Sequence, residues 1–155
     1  MLPSLRQELK QNKPFASLEE LVFLSALRTV DRLLEPEAVL LRAHDLSFAQ
    51  YNVLRILRGA RDAGLSCGEI AERMVHRDPD VTRLLDRLAA RDLVQRARSE
   101  NDRRVVLSWI TYEGLAVLKT LDAPIASLHR EQLSHMNREQ LETLAELLEV
   151  ARTRP

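Results

Sequence analysis

The chain has little of what staples small secreted proteins together. A single cysteine, Cys67, stands among 155 residues, so no internal disulfide can form and a reducing, cytoplasmic setting is expected. Long apolar runs are missing too. The longest, Ala38-Val39-Leu40-Leu41, falls far short of the roughly 18 residues that span a bilayer, and no membrane partner is expected. The opening MLPSLRQELKQNK is polar after Leu5 and has no signal-peptide apolar region. Glycine occurs only four times, with no phosphate-cradling glycine loop and no nucleophile elbow. No paired Cys or His motif stands at catalytic spacing, so neither an enzyme nor a cofactor is expected. Net charge is also absent, with 23 basic residues against 23 acidic ones. Taken as a total, that zero speaks against nucleic acid, but a field depends on where charges sit.

What is present is helix-forming. Hydrophobic residues make up 45% of the chain, enough for one domain of ordinary size with a real core. From Leu18 the apolar positions Leu21, Val22, Leu24, Ala26 or Leu27, Val30, Leu33 and Leu34 recur at helical spacing. Pro36 ends or kinks this helix, and residues 37–44 continue it. Ser47 with Gln50 forms a capping box and opens a second helix, whose apolar face is Phe48, Tyr51, Val53, Leu54 and Leu57. Ser66 with Glu69 opens a third. Asp78 fits the N-cap of a fourth, with Pro79 at its first position and Asp80 in its first turn. Val81, Leu84, Leu85 and Leu88 then form one face, opposite Asp80, Arg83, Asp86 and Arg87. The period next changes to two short strands, residues 93–98 and 104–110, joined by the polar tip 99–103. Thr111 caps a long fifth helix with Leu115, Leu118, Leu121, Ile125 and Leu128 inside and a kink at Pro124. Asn137 with Gln140 caps a last helix bearing Leu141, Leu144, Leu147 and Leu148. The terminal apolar stripes are longer than one small domain needs, and a second copy of the chain is the simplest partner for them.

The zero charge divides unevenly. Of the 23 basic residues 20 are arginine, since lysine occurs only at Lys10, Lys13 and Lys119. Codon usage alone can supply arginine, so position is the better guide. Between Arg73 and Arg104 nine arginines face six acids, a balance of +3, while the rest of the chain holds 14 bases and 17 acids, −3. The basic segment coincides with a helix, a short turn, an arginine-faced amphipathic helix and a hairpin with a charged tip. That is the order of a winged helix-turn-helix. A helix fits the major groove, and an arginine-bearing hairpin tip fits the adjacent minor groove.

Residues LSFAQYNVLRIL (46–57), LSCGEIAERM (65–74) and DVTRLLDRLAARDLVQRARSENDRRVVLSWITYEGLAVL (80–118) resemble the MarR (multiple antibiotic resistance regulator) family over about residues 18–150. The most specific parts are V-T-R-L-L-D-R-L, the D-R-R of the wing and the I-T-x-E-G that opens the fifth helix. The resemblance implies a mainly α fold with a two-stranded β-wing and a bacterial, homodimeric transcription regulator, in the repressor role. Residues 1–45 and 111–155 would form the helical dimerisation region, and 46–110 the winged helix-turn-helix. Double-stranded DNA is the implied partner, as an inverted repeat whose half-sites lie about 34–36 Å apart. A small phenolic or aromatic effector would release it. Carried onto matching positions, the recognition helix is 79–91, with contacts from Asp80, Thr82, Arg83 and Arg87 and from Arg77 just ahead of it. Arg103 would enter the minor groove. Asp102 would brace arginines in or near the wing, and Arg98 and Arg104 would neutralise phosphates. Asp78 reads as a plain cap, and Asp80 has the chemistry to accept from a cytosine amino group. Asp92 replaces the usual glycine at the helix end, where an aspartate tolerates the left-handed conformation.

Other residues are read as structural. Cys67 is a small filler, because the oxidation-sensing branch of the family carries its cysteine in the first helix and no resolving cysteine exists here. His44, His76, His129 and His135 are solvated or capping, and no metal is expected, since the 129–135 spacing does not place two ligands on one helical face. Trp109 alternates with Leu107 and belongs to the core. Phe48 and Tyr51 suit either core or the lining of a ligand pocket. The competing class is a winged helix that binds an acidic protein through its arginine face without touching DNA.

Overall fold

A computed structural model describes residues 4–153. Its elements in chain order are α1 (Leu5–Glu8), α2 (Leu18–Arg42), α3 (Phe48–Ala60), a 3-10 turn (Arg61–Ala63), β1 (Leu65–Ser66), α4 (Cys67–Arg73), α5 (Val81–Ala89), β2 (Val94–Arg98), β3 (Val106–Ile110), α6 (Tyr112–Gln132) and α7 (Arg138–Arg152). The helix starts are set by local chemistry. Ser47 and Gln50, Ser66 and Glu69, and Asn137 and Gln140 each exchange hydrogen bonds as capping boxes. Thr111 Oγ1 accepts from the Gly114 N–H at 3.0 Å and opens α6.

α2 runs unbroken through Pro36. The proline cannot donate to the preceding turn, and the neighbouring helix secures the chain there. Gln132 Nε2 donates to the Leu33 carbonyl at 2.9 Å, and His129 Nε2 lies 3.0 Å from Glu37 Oε2. Among the described residues Glu37 is the one buried charged side chain, and this pairing fastens α6 across the proline. Pro124 likewise sits inside α6 without ending it. At the end of α2, Asp45 takes a left-handed φ of 53°, and Arg91 donates to the Asp45 and His44 carbonyls at 2.6 and 3.0 Å. That basic side chain satisfies carbonyls left open by the helix terminus.

The wing has one strand more than the sequence suggests. β1 joins β3 antiparallel, Leu65 facing Ser108 and Ser66 facing Leu107, so the order is β1-β3-β2. Leu65 is buried and its backbone is already extended on the approach to the Ser66 cap, which suits it to pair. The strand alternation also corrects the placing of Trp109. Ser108 points inward at 1% exposure, leaving Leu107 and Trp109 half-buried on the other face. The Trp109 Nε1–H donates to the Asp62 carbonyl at 3.1 Å, and its ring lies against Gly64. Gly64 has φ +65°, and a Cβ there would collide with the indole.

One core joins Leu41, Val53, Leu54, Leu57, Ile70, Leu85 and Leu88 to Leu118 and Leu121 of α6. Each such side chain contributes about 1.5–3 kcal/mol by leaving water. Leu115, expected inside, is 40% exposed, because α6 turns only the stripe of Leu118, Leu121 and Ile125 to the core. The outer stripes stay uncovered: Leu18, Val22, Phe23, Leu27 and Val30 on α2, and Leu144, Leu147, Leu148 and Val150 on α7. α1, which the periodicity does not announce, docks through Glu8 to Arg32 at 2.9 Å and to Arg28 at 3.5 Å.

Candidate nucleic-acid interface

The interface begins with the pairing of α4 and α5. The turn between them is pinned where it leaves α4. The Val75 N–H donates to Asn52 Oδ1 at 2.9 Å, and His76 packs on Phe48 with ring centroids 5.4 Å apart. Asp78 Oδ1 then accepts from the Asp80 N–H at 2.8 Å, and Asp80 Oδ1 accepts from the Arg83 N–H at 3.1 Å. Asp80 is therefore the N-cap, and the recognition helix spans Val81–Ala89 rather than 79–91. Both aspartates have capping chemistry, and the chain uses Asp78 to shape the turn two residues earlier. Capping engages one oxygen of Asp80 and accounts for acid at this helix end. Asp92 takes φ 56°, the left-handed conformation that ends the segment.

α5 is sharply two-faced. Val81, Leu84, Leu85 and Leu88 are buried, and Thr82, Arg83, Asp86 and Arg87 are exposed on the opposite side. Thr82 Oγ1 lies 3.3 Å from Cys67 Sγ, at the first position of α4, so the half-buried cysteine, read from the sequence as a small filler, abuts α5. Asp86 forms an ion pair with Arg96 of β2.

The wing tip is held by backbone bonds. Ser99 N–H donates to the Val105 carbonyl and Val105 N–H to the Asp102 carbonyl, both at 2.9 Å. Ser99 Oγ accepts from the Asn101 and Asp102 N–H groups. Asp102 Oδ1 accepts from the backbone N–H of Arg104 at 2.9 Å. Asp102 thus braces the turn itself and forms no ion pair with an arginine among the described residues, because a short side chain here reaches the amide two residues on before any guanidinium.

Some arginines have internal partners and others do not. Arg28, Arg32, Arg58, Arg96 and Arg138 are paired with acids, and Arg91 with carbonyls. Arg77, Arg83, Arg87, Arg98, Arg103 and Arg104 are exposed and have no acidic partner among the described residues, and the same holds for Arg42, Arg55, Arg73, Arg130 and Arg152. The first six cluster on the turn before α5, α5 and the wing, whereas the other five are spread one to a helix over α2, α3, α4, α6 and α7. Guanidiniums kept free of internal partners in one region can bind phosphates and base edges. The Asp86–Arg96 pair and the Arg91 contacts were not legible in the sequence, since their partners lie 10 and 46 or 47 residues away. Tyr51 belongs to the core, with the Arg55 guanidinium 5.7 Å from its ring centre, and burial pushes its hydroxyl pKa up.

The MarR family profile matches residues 44–105. A MarR transcription factor from Planctomyces limnophilus, known as a crystal structure, is 39% identical, and the match covers 88% of this chain and 99% of that one with a TM-score of 0.68. A mutant MarR from Escherichia coli, crystallised with operator DNA, is 27% identical over 97% of this chain and 100% of that one, TM-score 0.73. The homoprotocatechuate degradative operon repressor of Escherichia coli is 27% identical over 110 residues, 71% of this chain and 73% of its own length.

Proposed function

The chain belongs to the MarR family of DNA-binding transcription regulators, and from that premise we propose that it is a homodimeric repressor whose two α5 helices read an inverted-repeat operator. The observation that carries this reading is the set of six exposed, acid-free arginines on the α5 turn, α5 and the wing. Thr82, Arg83 and Arg87 reach base edges in the major groove. Arg103 enters the minor groove, and Arg77, Arg98 and Arg104 neutralise phosphates. Asp80 and Asp102 hold the backbone that presents them. Residues 1–45 and 111–155 dimerise through the exposed stripes of α2 and α7, while 46–110 bind DNA. The likeness to an operator-bound MarR favours DNA over an acidic protein as the partner of this face. A small aromatic effector relieves binding. A cleft of about 530 Å³ between α2 and α6, lined by Pro36, Val39, Pro124 and Leu128, offers it room.

The test is a gel-shift titration of the protein's own promoter fragment against random DNA of equal length at equal salt. Tighter binding to the promoter, falling steeply as salt rises, is the expected result, since phosphate contacts release counterions. Equal affinity for both fragments, or affinity flat in salt, would remove a sequence-specific operator from the account.

A further inference from the structure

We infer that the Asp86–Arg96 ion pair fixes the angle between α5 and the wing, so that both are positioning residues for operator binding. The inference rests on the DNA-facing role of α5 and the wing.

Asp86 is out of place for DNA binding taken alone. It sits on the exposed face of α5 between Arg83 and Arg87, where a carboxylate repels phosphate. Its charge is met by Arg96, which is rooted in the middle of β2 and whose side chain is only 22% exposed. Among the described residues this is the one ion pair linking α5 to the wing. β2 runs on from Arg96 to Arg98 and then to the tip that carries Arg103. Five extended residues from Arg96 span about 16 Å, so a tilt of about 10° at the pair moves the tip by about 3 Å, a whole hydrogen-bond length. The wing is a lever, and the pair lies near its pivot.

The surroundings of Arg96 argue that stability is not the reason for the pair. Arg96 Nε is buried without an acceptor. Ser108 stands directly opposite Arg96 across the strands, and its Oγ is likewise buried and unpartnered. Val81, Leu84, Leu85, Leu88 and Val94 nearby are all apolar and buried. Asp86 itself is 61% exposed, so the pair is partly solvated, and ion pairs of that kind add little to stability. What apolar packing does not supply is a directional link between a helix and a strand.

Electrostatics and positioning predict opposite signs for Asp86→Asn. If Asp86 is only an acid on a DNA-facing helix, removing its charge tightens binding to every sequence. If it positions the wing, operator affinity falls roughly tenfold, a loss of about 1.4 kcal/mol, while affinity for random DNA holds or rises. Hydroxyl-radical footprinting of the dimer on its operator should then lose the minor-groove protection under the wing, while dimethyl sulfate footprinting keeps the major-groove protection of guanine N7 under α5. A second variant, Asp86→Leu with Arg96→Met, separates position from stability. Its thermal midpoint should stay close to that of the unmodified protein, with the operator affinity still reduced. Operator binding by Asp86→Asn as tight as before or tighter, with the wing footprint intact, would overturn the inference. So would full operator affinity in the stable double variant.

Discussion

α5 and α7 are both amphipathic, and their apolar faces meet different fates. α5 buries Val81, Leu84, Leu85 and Leu88 out of nine residues. α7 buries none of its fifteen, and Leu144, Leu147 and Leu148 stay 38, 60 and 45% exposed. The same division runs through α2, where Leu41 is fully covered and Leu18, Phe23 and Leu27 are more than half exposed. Apolar patterning alone therefore does not reveal which stripe a chain satisfies by itself. The DNA-binding lobe completes its own core. The terminal helices carry a stripe that a second copy would complete.

The difference between the two helices should show first in stability. Leu85→Ala should cost about 2–5 kcal/mol, because it opens a cavity in a closed core. Leu147→Ala, measured in urea at a concentration where the protein is monomeric, should cost under about 0.5 kcal/mol, as exposed substitutions do. Comparable losses would mean that α7 is packed within the monomer. The second probe is assembly. Phe23→Asp combined with Leu147→Asp should place unpartnered carboxylates in the dimer interface at a cost of about 3 kcal/mol or more. That is upwards of roughly a hundredfold in the dimer constant. Sedimentation should show monomers, with secondary structure intact by circular dichroism.

The lobe was the more legible region, for a physical reason. Its elements start on side chains that bond within three residues, so Ser47 with Gln50, Ser66 with Glu69 and Thr111 announce themselves in any window of sequence. The left-handed Asp92 was legible on the same grounds. Where two local solutions compete, the signal blurs. Asp78 and Asp80 are both fit to cap, and only the fold of the preceding turn chooses Asp80. β1 is two residues long and exists only because β3 comes alongside. Asp86 and Arg96 meet because the chain reverses at Asp92, which no spacing rule encodes. Leu115 and Leu118 carry the same periodic signal, and packing alone separates them.

On the DNA face side chains act through contacts and not through packing, and the effects are smaller. Arg83→Ala should cost about 1–3 kcal/mol on the operator, concentrated at one base pair, if Arg83 reads a base edge. Arg98→Ala should weaken operator and random DNA alike and lower the slope of log affinity against log salt by about one. Arg103→Ala should weaken operator binding with no shift in thermal midpoint, since its side chain has no internal partner among the described residues. A drop in midpoint for any of the three would mean that these arginines hold the fold together.

The smallest effect asks whether the two regions differ in their helix starts as they do in burial. Glu69 at the start of α4 has its pKa lowered because the Ser66 backbone N–H and then the Ser66 hydroxyl donate to it, each at 2.8 Å. Glu19 at the start of α2 is lowered by its own backbone N–H and then by Ser17. A depressed folded value means stabilisation that is present above the ordinary glutamate range and is lost as pH falls through the folded value. Both carboxylates are solvent-facing, so the stability change is small and the titration itself is the measurement. By nuclear magnetic resonance both should titrate below an ordinary glutamate, and Glu69→Gln should remove the acid-range loss belonging to the α4 cap. Repeated in the monomeric Phe23→Asp, Leu147→Asp variant, both midpoints should stay low, because these caps depend on residues within three positions and on no second copy. A Glu19 midpoint that climbs back to the ordinary range while Glu69 stays low would show that α2 begins only when its exposed stripe is covered. The difference between the two regions would then extend from packing to the formation of the helix itself.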